Sequence, residues 1–319
     1  MNKPKLFIIT GPTASGKTSV SISVARLINA EIISADAIQL YEGLDIGSAK
    51  PTDEEKCGIK HYMMDCISPN EADFTVSRFR DGALEAAREI IAKGKRPLVV
   101  GGTGLYINSL TYPLTFSNIA PDSELRQELI GKEQEKKGFL HELLCQMDEK
   151  TAERLHPNDI KRIVRALEIC IKSGKKASEQ GEGFGHRDDD SLEFEPVMAG
   201  ITMNRAALYE RIEKRVDNMF SDGLVDEVRS LLEQGCTQNM PAMQGLGYKE
   251  TIAYINGECT LDEAKDKIKR ETRRFAKRQL TWFRREERIR WFDSDEYKTG
   301  DELAKAITEY FMLQEGQNG

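Results

Sequence analysis

The sequence predicts an α/β fold: a parallel sheet core, an all-helical insertion and a helical C-terminal region. Three observations predict it. Short apolar runs at residues 5–10, 31–36 and 96–100 alternate with helical segments, the pattern of βαβ units. No strand-like run intervenes from Asp122 to Ser173. A further run, PVMAGIT at 196–202, then resembles a strand returning to the sheet. The chain has 319 residues, enough for two domains or one interrupted domain. The expected boundaries are 1–115 for the first part of the core, 116–195 for the insertion, and 196–319 for the core's completion with its basic helices.

Element by element, KLFIIT (5–10) is a strand, a glycine loop follows, and SVSISVARLINA is a helix. EIISAD (31–36) is the second strand, followed by a polar loop to about residue 75. Ser77 to Lys93 is a helix, with Phe79, Ala83, Ala86, Ala87 and Ile90 on one side. Gly94 ends it, and the next strand closes on Gly101-Gly102. In the last helix of the insertion, Ile160, Ile163, Val164, Leu167 and Ile171 share a face, and Lys161, Arg162, Arg165 and Lys172 fall away from it. The glycine-rich, acidic stretch 179–195 reads as a loop. Residues 205–315 read mostly as helix.

Composition excludes several classes. With 39% hydrophobic and 31% charged residues, the chain is too apolar to be disordered. No apolar run reaches membrane-spanning length, and the first ten residues lack a secretory signal, so a cytoplasmic protein without membrane contact is expected. The six cysteines form no CxxC pair and the four histidines are scattered, which argues against structural zinc and a disulfide framework. No stretch resembles an exposed apolar interface, so a monomer is expected. Charge is uneven. Lys265 to Arg290 holds twelve Lys/Arg against four acids, a net of +8 in a chain of −7. A basic block on an acidic protein suggests a polyanion site, and a salt-bridged solvated helix is the plain alternative.

The strongest motif is Gly11-Pro12-Thr13-Ala14-Ser15-Gly16-Lys17-Thr18. It matches GxxxxGK[ST] between a strand and a helix, so the core is P-loop NTPase-like. Such a loop wraps a phosphate with backbone N–H groups at a helix start. Lys17 neutralises phosphate oxygens and the Thr18 hydroxyl can ligate Mg²⁺. No acid ends the strand at 97–100, where a motor ATPase would hold its metal, and no NKxD segment reads guanine. Asp36, at the end of the second strand, is the available carboxylate. It would act as a general base or a water-mediated Mg²⁺ ligand, and a turn-capping Asp is the bland alternative. Arg211 and Arg215, four apart on one helix, add positive charge for a diphosphate unless they pair with Glu210 and Glu213. Asp189, Asp190 and Glu193 have a DDxxE look, but in a glycine-rich loop they read as solvated acids.

Several segments in order carry a resemblance: GPTASGKT (11–18), SADAIQLYEGLDIGSAKPT (34–52), GGTGLY (101–106), HPNDIKRIVRALEI (156–169), QGLGYKE (244–250) and KRQLTWFR (277–284). Together they resemble the tRNA dimethylallyltransferase family, the bacterial tRNA isopentenyltransferases, from about residue 5 to 292. The resemblance implies transfer of a dimethylallyl group from its diphosphate to N6 of the adenosine 3′ of the anticodon, with the P-loop holding the diphosphate leaving group. It implies Asp36 as the general base, with Lys17 and Thr103 catalytic. It implies tRNA contacts by Asp36, Ala37, Ile38 and Gln39, which would meet a base flipped from the anticodon loop, and by Thr103. It extends the tRNA contact to Arg126, Lys161, Arg162, Ile163, Val164 and Arg165 of the insertion. In the last third it implies Gln244, Gly247, Tyr248 and Lys249, then Lys277, Arg278, Gln279, Trp282 and Arg284. Trp282 and Phe283 interleaved with cations suit backbone charge plus base stacking, although aromatics at helical spacing are usually core.

The sequence departs from the family's pattern at Ala37, where Ser is common, at Ser48, where Thr is common, and at His61-Tyr62, where a His pair is usual. Three other readings stay open. A P-loop small-molecule kinase explains the core and leaves the basic helices unexplained. A prenyltransferase acting on free adenine nucleotides needs neither the insertion nor the basic block. A non-enzymatic RNA-binding protein would not need Lys17, Thr18 and Asp36 intact.

Overall fold

The computed structural model describes residues 3–71, 74–114, 119–180 and 191–316. The chain forms two compact units: Met1–Thr111 with Glu193–Gly319, and Tyr112–Leu192. The first unit begins β1 (Lys5–Thr10), α1 (Lys17–Leu27), β2 (Ala30–Ser34), α2 (Asp53–Lys56), β3 (His61–Tyr62), α3 (Val76–Ala92), β4 (Arg96–Gly101) and α4 (Gly104–Thr111). The second unit holds α5 (Ser123–Glu135), α6 (Phe139–Met147), α7 (Glu149–Arg154), α8 (Ile160–Ser173) and α9 (Ala177–Gln180). The first unit resumes with β5 (Glu195–Thr202), α10 (Arg205–Ser221), α11 (Leu224–Glu233), α12 (Tyr248–Ile255), α13 (Leu261–Phe283), β6 (Ile289–Asp293) and α14 (Gly300–Gly316).

All six strands run parallel, in the order β3-β2-β4-β1-β5-β6. The interrupted chain therefore rebuilds one sheet: Ile8 of β1 pairs with Val99 on one side and Met198 on the other. The sheet is buried on both faces, as parallel sheets are. Alternation along β1 sends Leu6 and Ile8 into a layer with Phe79, Ile90, Tyr106 and Phe283, while Phe7 and Ile9 pack with Val24, Ile307 and Phe311. The predicted α3 face is the buried one, and Thr75 caps the helix through the Arg78 N–H. Two strands lie where the sequence reads as loop or helix. β3 is two residues long, too short to alternate. β6 carries exposed Arg290 at the sheet edge, which hides its period.

The second unit packs Leu129, Leu140, Leu144, Ile163, Val164 and Leu167 together. Ile163 and Val164, expected at tRNA, are core residues with 0% and 4% exposure, so they cannot touch an RNA from where they lie. Ile171, grouped with that face by period, is exposed instead. The buried Glu168 side chain organises this unit. It accepts from Asp122 N–H (2.7 Å) and from the Arg126 guanidinium (2.9 and 2.8 Å), and it pairs with Arg165. Burial opposes its charge, but these bonds outweigh it and bring the carboxyl to about 2. Arg126 and Arg165 are thus engaged within the unit, whereas Lys161 and Arg162 stand exposed.

Candidate active site

The carboxyl ends of β1, β2 and β4 open onto one edge of the sheet, where ligands of such sheets bind. A cavity of about 290 Å³ lies there, lined by Thr13, Ala14, Gly16, Lys17, Thr18, Asp36, Gln39, Arg211, Arg215 and Gln279 among others. Residues from five predicted segments therefore meet in one place. Gly11 makes the loop possible. Its φ is +146°, and a Cβ there would lie 2.4 Å from the Ile201 carbonyl oxygen. Lys17 follows at the start of α1 and donates to the Pro12 carbonyl at 2.7 Å. Burial first, then the Arg215 charge, bring its ammonium down to about 7, and Asp36 opposes them.

Asp36 sits just beyond β2. Its Oδ1 accepts the N–H groups of Ile38 (2.9 Å) and Gln39 (3.4 Å), which fixes the carboxylate and leaves Oδ2 outside these bonds. The Thr103 hydroxyl accepts the Ala37 N–H at 3.1 Å, bracing the turn that carries Asp36. Gln39 lines the cavity, but its amide is committed to the protein. Ser34 donates to its Oε1 (3.0 Å), and its Nε2 donates to the Ser48 and Ala49 carbonyls (3.4 Å each).

Arg211 and Arg215 both reach the cavity from α10. Glu213, one of their two expected competitors beside Glu210, pairs with Arg273 at 2.7 Å instead. Arg215 donates to the Ser48 carbonyl (3.3 Å), and burial lowers its guanidinium against the opposing pull of Asp36. Lys17, Arg211 and Arg215 thus line the same cavity as the Asp36 carboxylate, and three basic side chains in one cavity favour an anion there.

The C-terminal motifs divide between support and surface. Gln279, expected at tRNA, is buried and spans two loops: it accepts from Thr13 N–H and donates to the Gly102 carbonyl, both at 2.8 Å. Its role here is a strut between the phosphate loop and the GGTG turn. Tyr248 (0% exposed) and Gly247 lie in the core and do not offer an RNA contact, whereas Gln244 and Lys249 are exposed. Trp282 is half-buried over Gly104, where a Cβ would come 2.4 Å from its ring. Lys277, Arg278 and Arg284 are exposed. Phe275 lines the cavity and escaped the sequence reading. It lies one turn before Gln279 on α13, so the signal was its helical spacing from the KRQLTWFR segment.

A pure protein metal site is not what the residues offer. Among the described residues, no group of three or more His, Cys, Asp or Glu side chains is placed to hold a metal. The Thr18 hydroxyl and Asp36 carboxylate do line one cavity. Hard oxygen donors of this kind, next to the 11–18 glycine loop, fit Mg²⁺, which commonly keeps several waters and takes other ligands from a substrate's phosphates. Glu193 binds Arg88 through both oxygens, at 2.7 and 2.6 Å, and Asp189 and Asp190 lie outside the described residues. The six cysteines are unpaired, and Cys170 and Cys236 are buried. No helix among the described residues is long and apolar enough to cross a membrane.

Comparison with known proteins agrees with this geometry. The IPP transferase family model matches residues 39–286. The tRNA dimethylallyltransferase of Acetivibrio thermocellus is 48% identical over 306 residues, covering 96% of each chain. That of Clostridioides difficile is 46% identical, covering 97% of this chain and 98% of its own. The crystal structure of a Staphylococcus epidermidis tRNA isopentenylpyrophosphate transferase superimposes with a TM-score of 0.71 at 39% identity, covering 98% and 100% of the two chains. A eukaryotic dimethylallyltransferase acting on tRNA superimposes with a TM-score of 0.77 at 27% identity, covering 98% of this chain and 80% of its own. A P-loop core with this carboxylate, matched by these relatives along nearly its whole length, belongs to the IPP transferase family of prenyltransferases.

Proposed function

We propose that the chain transfers a dimethylallyl group from dimethylallyl diphosphate to N6 of the adenosine 3′ of the anticodon in tRNA. The observation that carries the reading is the single cavity that holds both a three-cation cradle and one fixed carboxylate. In the reaction the C1–O bond to diphosphate breaks and its electron pair leaves on the diphosphate. The N6 lone pair forms the new C–N bond, and N6 loses a proton. Lys17, Arg211, Arg215 and the N–H groups of the phosphate loop stabilise the charge that gathers on the leaving oxygens. Asp36 accepts the N6 proton, which matters because the amine is weakened by delocalisation into the ring. Phe275 offers an apolar wall for the prenyl chain. Mg²⁺, held by Thr18 with water-mediated help from Asp36, would supply further charge neutralisation to the diphosphate.

The RNA would meet exposed cations in each unit: Lys277, Arg278 and Arg284 on α13 and just beyond it, and Lys161 and Arg162 on α8. The test is one set of mixtures with Mg²⁺: donor plus unmodified anticodon stem-loop RNA, donor plus AMP, and ATP plus RNA. Digestion and mass spectrometry should find prenylated adenosine from the first mixture. Product from AMP alone would move the chain to free-nucleotide prenylation, and ATP consumption without prenyl product would make it a kinase.

A further inference from the structure

Buried Tyr248, with its neighbour Glu227, does something the motif does not announce. Glu227 stands in the first turn of α11, and its carboxylate gathers four donors. Oε2 accepts the N–H groups of Asp45 (3.0 Å) and Ile46 (2.7 Å), and Oε1 accepts the Gly47 N–H (3.1 Å) and the Tyr248 hydroxyl (2.8 Å). Hydrogen bonds to an ionised acceptor are about twice as strong as neutral ones. Burial, then the Glu227 charge, push the Tyr248 hydroxyl up, so it stays protonated and donates. Gly47 also lies close against the Tyr248 ring: a Cβ there would come 2.5 Å from Cζ, which only glycine avoids.

The next residue along this clamped loop reaches the cavity. The Ser48 carbonyl accepts from Arg215 (3.3 Å) and from Gln39 (3.4 Å). We infer that Glu227, braced by Tyr248, is a positioning residue that fixes the 45–49 loop so that its Ser48 carbonyl aims the Arg215 guanidinium at the diphosphate. Glu227 does not line the cavity and acts through Arg215. The inference rests on the transferase reading for its activity assay, but its structural content does not depend on the acceptor.

The test is a double-mutant cycle in the full chain with Glu227→Gln, Arg215→Ala and both together. The readout is kcat/KM for dimethylallyl diphosphate with stem-loop RNA as acceptor. Residues in one network couple where independent sites add, so Glu227→Gln should cost about tenfold alone and under about twofold in the Arg215→Ala background. A general loss of folding would cost the same in both. An equal loss in both backgrounds, or no loss in either, overturns the inference. If Glu227→Gln does not fold, Tyr248→Phe, which removes a single hydroxyl, replaces it in the same cycle with the same criterion. The cycle is repeated on binding of inorganic diphosphate by calorimetry. An inactive wild type would then remove the transferase reading while the binding cycle still decides the positioning role.

Discussion

Lys17 carries the sharpest consequence at the scale of single residues. Its ammonium titrates near 7, because burial and Arg215 outweigh Asp36. Below that value the free site presents the full cation. Above it the free site has lost a proton, and binding of an anion draws it back. Donor affinity should therefore fall as pH rises through about 7, and binding at about pH 8 should take up nearly one proton. Calorimetry in buffers of different ionisation enthalpy measures that uptake, and Lys17→Met should abolish it. Arg215→Ala should raise the donor KM, since it removes a cation from the cradle, and by about 10²-fold in kcat/KM if its charge is felt mainly as the leaving group departs. Asp36 and the P-loop were legible in the sequence because strand-end position and glycine spacing carry their chemistry. The commitment of the Gln39 amide to Ser34, Ser48 and Ala49 was not, since it depends on a loop brought close by residues nearly two hundred positions away.

The same division runs through the secondary structure elements. α3 was readable to within a residue or two because its apolar positions keep a helical period and Thr75 caps it. β3 and β6 were not, because a two-residue strand and a charged edge strand hold too little pattern. Gln279, Tyr248, Ile163 and Val164 belong to motifs that signal a family, and a motif does not say which members face the ligand and which hold the backbone beneath it. In α8 the basic pattern conceals a buried carboxylate, Glu168. Glu168→Gln should destabilise the chain by about 3 kcal/mol, since it breaks a buried ion network and leaves Arg126 and Arg165 without their anion. Its carboxyl is held below its ordinary value, so its contribution is present above about pH 4.5 and is lost as pH falls toward 2. Urea melts across that range should show the wild type losing its advantage over the variant as acid is added. An advantage that persists at low pH would mean the network is not what stabilises this unit.

Across the whole molecule, the charge asymmetry acquires a location. Many cations of the 265–290 block are satisfied inside the protein, with Lys269 on Asp217 at 2.7 Å and Arg273 on Glu213. The exposed Lys277, Arg278 and Arg284 remain at the C-terminal end of α13 and just past it. Lys277→Glu with Arg278→Glu should weaken stem-loop RNA binding and make its salt dependence shallower by about one to two in the log–log slope. An unchanged slope would place the RNA elsewhere. In the proposed reaction one cavity serves both ends, cations for the leaving group and Asp36 for the proton. The most direct measurement is single-turnover transfer by Asp36→Ala beside its affinity for dimethylallyl diphosphate. Transfer should slow by about 10²–10³-fold with donor affinity nearly unchanged. Transfer near the wild-type rate would contradict this and remove Asp36 as the base.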